Sequence, residues 1–346
     1  VIQFHSYFFE INMKQKKNQQ PIDCVLGITY NCNSRCKMCY IWKIKDFPQI
    51  APAEYAKLPT TLKDINISGG EPFLRNDIIE IVQTVVDRCP RARIVISTNG
   101  FMPVLIERQM KKILAIKPDI GVAISIDGYK EMHEQMRCIP DAWNKCIDTL
   151  ERLQALGMTN LRLAFTVTPE NIGDFTKVYD ETVKRGVQFT HAFAQSSEHF
   201  FGGIQIENNP NSKTLADAYR YVIEKELASW SVKRWLRAYF TRSMYIFYTQ
   251  KEQALSNDPG VRFFYLDPRG DIYPSVVHNV ILGNITTDAE FDTVWKGKKA
   301  QEGRHVLQEK KQPAWMICTA RSAMKKHIFS VGWWIMRHKF FSGTVL

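Results

Sequence analysis

The sequence predicts an α/β protein: a partial, TIM-like (β/α)6 barrel followed by a small C-terminal α+β domain. Three observations lead there. Strand-like runs alternate with helix-period runs six times between residues 22 and 205. Near residue 256 the pattern changes to a hairpin-like stretch followed by helical ones. The chain has 346 residues, 45% apolar and 23% charged, which suits one large globular domain with room for a smaller one.

In chain order, residues 1–20 form a mixed extension ending in the polar run Lys14-Gln15-Lys16-Lys17-Asn18-Gln19-Gln20. Val1 in place of Met leaves the true start open. Strands are expected near 22–29, 64–68, 93–97, 120–126, 161–168 and 187–193. Helices are expected near 34–42, 76–88, 104–115, 141–156 and 173–185. Such alternation makes parallel βα units, whose active site lies at the C-terminal ends of the strands. Residues 211–255 read as helical, with Trp230, Lys233, Arg234, Trp235, Arg237, Tyr239, Phe240, Arg242 and Tyr245. Their aromatic face is expected on the barrel and the rest in solvent; a lipid or nucleic-acid surface is the alternative. Residues 261–285 read as a hairpin about Asp267-Pro268-Arg269-Gly270-Asp271, and 288–310 and 315–340 as helices. The expected domains are therefore 1–20 (extension), 21–205 (barrel), 206–255 (helical connector) and 256–346 (C-terminal domain).

The net charge of +11 favours acidic partners: an acidic electron donor, an anionic substrate, an anionic membrane face or, least favoured, nucleic acid. Eight cysteines without a signal peptide point to a reducing cytoplasm rather than a disulfide scaffold. No apolar run approaches the ~18 residues that span a bilayer. Residues 321–340 combine Arg321, Lys325, Lys326, Arg337 and Lys339 with Ile328, Phe329, Val331, Trp333, Trp334 and Ile335. That mixture suits either an interfacial helix at the inner membrane face or a helix capping the barrel.

The chemistry is concentrated after the first strand, in Tyr30-Asn31-Cys32-Asn33-Ser34-Arg35-Cys36-Lys37-Met38-Cys39-Tyr40. Three thiolates on a short loop suit an iron–sulfur cluster. Three protein ligands leave one iron of a four-iron cube open to a substrate or cofactor. Zinc and buried structural thiols are the alternatives, but zinc takes four ligands in a closed site and no fourth lies nearby. Downstream, Ser68-Gly69-Gly70-Glu71-Pro72, Ser97-Thr98-Asn99-Gly100 and Ser125-Ile126-Asp127-Gly128 end successive strands. Each alone is an ordinary turn.

In that order the motifs resemble the radical S-adenosylmethionine (SAM) superfamily, in the branch with a C-terminal extension called SPASM or twitch. The resemblance implies that Cys32, Cys36 and Cys39 hold a [4Fe–4S] cluster and that Tyr40 is the aromatic residue after the third cysteine. It implies that Gly69, Gly70 and Glu71 meet the SAM amino group, and that Ser125 and Arg137 meet its ribose or carboxylate. A guanidinium fork fits a carboxylate. Ser97 and Asn99 would stand at the ligand, and Thr168 beside the adenine. A flavodoxin- or ferredoxin-type donor would deliver one electron. SAM would then be cleaved to a 5′-deoxyadenosyl radical that takes hydrogen from the substrate. Among the remaining cysteines, only Cys138, beside Arg137, is a candidate hydrogen donor; a small buried residue is the alternative.

The match extends to Phe264–Pro274, to Leu282-Gly283-Asn284-Ile285 and to Val294-Trp295, but the cysteines that the branch uses for auxiliary clusters are missing. Asn257 and Ser275 stand near two such positions, and Cys318 alone remains of the run at Gln312-Pro313-Ala314-Trp315-Met316-Ile317-Cys318. One cluster is therefore expected. The substrate is expected to be a small anionic or membrane-associated metabolite such as a sugar, lipid or nucleotide precursor. A peptide or protein maturase is the alternative, and a non-catalytic iron–sulfur protein a further one.

Overall fold

The structure, a computed structural model, describes residues 19–206, 212–287, 290–310, 314–341 and 343–346. Most of the expected extension at 1–20, with Gln312 and Pro313, lies outside them, as does the side chain of Cys318. The framework is a nine-stranded sheet in the order β6-β5-β4-β3-β2-β1-β7-β8-β9. Its first six strands are β1 (Asp23–Thr29), β2 (Asp64–Gly69), β3 (Arg93–Thr98), β4 (Gly121–Ser125), β5 (Leu161–Val167) and β6 (Gln188–Phe193). All neighbouring pairs among them are parallel. The run is curved and open, as a partial barrel requires.

Helices cover the outer face. Helix α1 (Ile78–Arg88) buries Ile78, Ile81, Val82 and Val85, the i, i+3, i+4, i+7 stripe of an amphipathic helix. Helix α2 (Pro103–Ile116) opens on a proline, whose missing N–H is not needed in the first turn. Helices α3 (Glu131–Arg137), α4 (Ala142–Ala155) and α5 (Phe175–Lys184) complete the barrel units. The register shows which side chains share the inner face. Asn66 pairs with Val95, Ser97 with Ala123, Ser125 with Ala164 and Ala164 with Thr190. The upper lumen is thus lined by small and polar groups, while buried Ile65, Ile67, Ile94, Ile96, Ile124 and Leu163 point outward to the helices.

One expectation is corrected. Residues 34–42 do not form a helix: 34–40 are an irregular loop, followed by a single 3-10 turn at Ile41–Lys43. Cysteines at this spacing serve a shared site better when the backbone wraps than when it coils, and the loop's amides bond to other segments instead. The stretch 211–255, expected to be helical, holds two helices, α6 (Lys213–Ala228) and α7 (Val232–Gln250), broken at Ser229–Ser231. Helix α3, a single short helix after β4, was not expected at all.

The hairpin is built onto the barrel's sheet. Strand β7 (Phe263–Leu266) runs parallel to β1, with Asp23 opposite Phe263 and Leu26 opposite Leu266. Strands β8 (Asp271–Tyr273) and β9 (Gly283–Asn284) follow antiparallel. Gly27 lacks a side chain where the Tyr265 ring crosses: a Cβ there would fall 2.4 Å from its hydroxyl. Helices α8 (Phe291–Lys296), α9 (Lys298–Lys310), α10 (Ile317–Lys326) and α11 (Ile328–Phe340) close the chain. Helix α11 packs Val331, Trp334 and Ile335 inward, with Trp334 edge-on to Tyr239 of α7. Among the described residues no helix is long and apolar enough to cross a membrane.

Candidate active site

The cysteine loop crosses the C-terminal mouth of the barrel and is pinned by three separate segments. Gly70 N and Glu71 N donate to Thr29 O (2.7 Å) and Asn31 O (2.8 Å), tying it to the turn after β2. Lys37 N donates to Met136 O (2.9 Å) at the end of α3, and Tyr40 N to Phe201 O (2.9 Å) beyond β6. Gly70 is required sterically, since a Cβ there would lie 2.2 Å from Asn31 O. Gly202, at φ +66°, meets Tyr40 O in the same way at 2.3 Å.

The sulfurs sit among donors. Ser34 N donates to Cys32 Sγ (3.4 Å), and the Ser34 hydroxyl lies 3.0 Å from Cys36 Sγ while donating to Arg137 O (2.9 Å). Asn99 Nδ2 reaches Asn33 Oδ1 (2.6 Å) and, at 3.9 Å, Cys32 Sγ. Arg137 Nη1 lies 3.6 Å from Cys36 Sγ. Burial pushes the Cys32 thiol up to about 11 and the Cys39 thiol to about 12, with neighbouring sulfurs adding to the shift. Metal binding must therefore expel these protons.

The remaining expected residues fall at strand ends around the loop. The Glu71 carboxylate is wholly buried and accepts from Phe73 N (3.1 Å), Thr98 Oγ1 (2.9 Å) and Asn99 N (2.7 Å). It ties the turn after β2 to the end of β3, and burial raises it to about 7. Gly69 (φ +131°) packs on Thr29 O. Ser97 Oγ donates to Asn66 Oδ1 (2.9 Å) in the lumen, and Ser125 ends β4 on the same inner face. Thr168 N donates to Asn171 Oδ1 (2.8 Å), while its buried hydroxyl has no protein partner. Tyr40 is half-buried under the Lys43 ammonium, 3.4 Å from its ring centre. Cys138 is exposed at the C-cap of α3, its thiol toward Gln135 O (3.5 Å), so the buried reading of this residue does not hold.

Sequence reasoning missed the groups that organise the site from behind. Asp127 is fully buried and forms an ion pair with Arg137. Its Oδ1 also accepts from Thr166 N (2.6 Å), and its own N–H donates to His133 Nδ1 (2.9 Å). Burial raises the Asp127 carboxyl, and Arg137 pulls it back. Asn171 links Asp127 O (3.0 Å) and Thr166 O (2.8 Å). The Asp-Gly pair after the fourth strand was the one available signal, and it reads equally as a turn.

At the C-terminal positions where cysteines are missing, Asn257 donates to Ala314 O and Ser275 Oγ lies 2.8 Å from His278 Nδ1. Ala314 packs in an apolar cluster with Val25, Phe263 and Tyr273.

No three His, Cys, Asp or Glu side chains among the described residues converge as they would on a single ion. A four-iron cube takes each thiolate at a different iron, so the spread of Cys32, Cys36 and Cys39 suits a cluster and not one zinc. The hydrogen-bond donors at two of the sulfurs are those that thiolate–iron charge calls for. Barrel and loop together bring three cysteines to one mouth of the sheet, where they could hold an iron–sulfur cluster. Residues 26–182 match the family described as the Radical SAM superfamily, so the chain is similar to that superfamily across its barrel. Enzymes of that superfamily use a [4Fe–4S] cluster and SAM and need a reductant such as flavodoxin or ferredoxin.

The mycofactocin maturase MftC of Mycobacterium ulcerans is 25% identical over 310 residues, 80% of this chain and 74% of its own. The Fe-coproporphyrin III synthase of Methanosarcina barkeri is 31% identical over 172 residues, 47% of this chain; the match spans only 41% of that relative. In fold, the chain is similar to Streptococcus suis SuiB bound to S-adenosylmethionine, with TM-score 0.61 and 14% identity over 85% of this chain and 70% of that one.

Proposed function

We propose that the chain is a catalytic radical SAM enzyme that takes hydrogen from a small anionic or membrane-associated metabolite. The observation that supports catalysis is the set of groups aimed at Cys32 and Cys36: Ser34, Asn99 and Arg137, each reaching a sulfur from a different element. In this reading Cys32, Cys36 and Cys39 hold the cluster, which with SAM supplies one-electron cleavage and hydrogen abstraction. The chain's own residues orient and shield. Arg137, fixed by Asp127, presents its remaining N–H groups to a carboxylate or ribose. The Gly69–Gly70 backbone permits close approach of an amine, with Glu71 positioning that turn. Ser97, Ser125 and the unpartnered Thr168 hydroxyl offer hydrogen bonds along the lumen, and Tyr40 closes the side toward Phe201.

The net charge of +11 supports an anionic substrate. A peptide maturase is the second reading, supported by the match to MftC, which covers 80% of this chain and so more than the barrel alone. Anaerobic reconstitution with SAM and a reductant tests the first claim: 5′-deoxyadenosine must form, and its absence refutes catalysis. Deuterium transfer into that product from a labelled candidate metabolite or peptide separates the two substrate classes.

A further inference from the structure

A large cavity lies at the opposite end of the barrel from the cysteines. It holds 550 Å³ and is walled by the starts of β2, β3, β5 and β6 and by α7, α10 and α11. Six cations line it (Arg93, Arg162, Lys233, Arg237, Arg321 and Lys325) against two carboxylates, Asp64 and Glu226. Those carboxylates are already engaged. Asp64 pairs with Arg93 (2.6 Å) and Arg321, and Glu226 with Arg237 (3.1 Å) and Arg234 (3.4 Å). Arg162 and Lys233 make no ion pair among the described residues, and the buried Arg162 Nε has no hydrogen-bond partner. Burial and the neighbouring Arg321, Arg237 and Arg93 push Arg162 down to about 10. An uncompensated guanidinium is costly to bury, so the cavity is built for an anion.

Much of the remaining wall is apolar, with Leu236, Phe240, Met324 and Ile328, beside polar Asn160, Gln188 and Thr190. Ile317 and Ile328 both line the cavity and reach solvent. Beside them α11 exposes Phe329 (90%), Trp333 (64%), Met336 and Phe340, spaced i, i+4, i+7 and i+11 on one face. Trp230 extends the same patch, with the Lys339 ammonium 4.4 Å from its ring centre. Arg337 lies over Trp333. Aromatic residues interleaved with cations at the mouth of a basic, apolar-walled cavity match one partner chemistry: an anionic lipid in a bilayer surface.

We propose that this cavity binds the phosphate headgroup of one anionic phospholipid through Arg162, Lys233 and Arg237, while the aromatic face of α11 rests in the same membrane. The first acyl carbons lie against Phe240, Met324 and Ile328. This surface is separate from the cluster loop, so its failure would leave the radical reading intact.

The test uses the full reconstituted chain and two probes. The first is dihexanoylphosphatidylglycerol below its micelle concentration, followed by calorimetry. One lipid is expected to bind per chain, with dihexanoylphosphatidylcholine and inorganic phosphate far weaker. Arg162→Gln and, separately, Lys233→Gln should each weaken it about fivefold, the effect of removing one cation near an anionic headgroup. Both variants should keep the wild-type melting temperature and 5′-deoxyadenosine formation. The second probe is vesicles of phosphatidylcholine with and without phosphatidylglycerol. Phe329→Ser/Trp333→Ser should lose vesicle binding yet retain the short-chain lipid. Equal binding of phosphatidylcholine, inorganic phosphate as tight as the lipid, or indifference to both cation substitutions would overturn the proposal.

Discussion

Arg137 is held by a group buried more deeply than itself, and that sets what its removal does. Its guanidinium pairs with Asp127, which has no exposed surface, and lies 3.6 Å from Cys36 Sγ. Arg137→Met preserves most of the volume but leaves Asp127 as a buried, unpaired carboxylate. Breaking one half of such a pair costs about 3–5 kcal/mol, a large share of a total stability of roughly 5–15 kcal/mol. The sign of the pH dependence follows from Asp127. Its folded pKa already lies above the ordinary 3.8 because of burial, and loss of Arg137 raises it further. A raised carboxyl binds its proton more tightly in the folded state. The deficit is therefore largest at high pH and shrinks as pH falls through the raised folded pKa toward 3.8. Asp127→Asn in the same chain removes the charge while keeping an acceptor for Thr166 N, so the double variant should recover most of the loss. Urea unfolding of the apo chain at pH 8 and pH 5.5 measures this. An unchanged midpoint in Arg137→Met, or no recovery in the double variant, would show that the pair does not carry the site. In the reconstituted protein the same variant should bind SAM more weakly; unchanged affinity would remove Arg137 from the ligand site.

Cys36→Ala should abolish both the visible absorbance of the cluster and 5′-deoxyadenosine formation, and a variant that still cleaves SAM at the wild-type rate would refute the ligand assignment. Iron and sulfide analysis should give about four of each per chain, the content of one cube; near eight of each, surviving loss of Cys32, Cys36 and Cys39, would place a second cluster elsewhere. Gly202→Ala should lower iron retention although it changes no ligand, because its Cβ would meet Tyr40 O at 2.3 Å; full iron content would mean the loop beyond β6 does not brace the third cysteine. His191 is buried with its pKa pushed down to about 3, so the stability it contributes is present above 6.5 and lost as pH falls toward 3. His191→Gln should flatten acid unfolding in that window, as measured by urea midpoints.

The sequence by itself determined the six strands of the barrel and most of its helices, because runs such as Ile65–Ile67 and Ile94–Ile96 and the stripe Ile78, Ile81, Val82, Val85 carry their periods locally. It also placed the cysteine loop at the barrel mouth, because three thiols and the motifs after it lie in consecutive strand ends whose order in the chain is their order in the sheet. What it could not decide were relations between distant residues. That Glu71 turns inward to three protein donors, that Asp127 locks Arg137, and that Ser34 bridges Cys36 to the end of α3 all depend on which strand ends meet across the mouth. The parallel joining of β7 to β1 brings together residues 23–26 and 263–266, a pairing across more than two hundred residues that no local pattern encodes. The basic cavity is the plainest case. Arg93 and Arg162 are unremarkable charges along the chain, and Lys233 and Arg321 fall in two separate basic stretches. They become one site because parallel strands place their starts at one end of the barrel, where α7, α10 and α11 close over them.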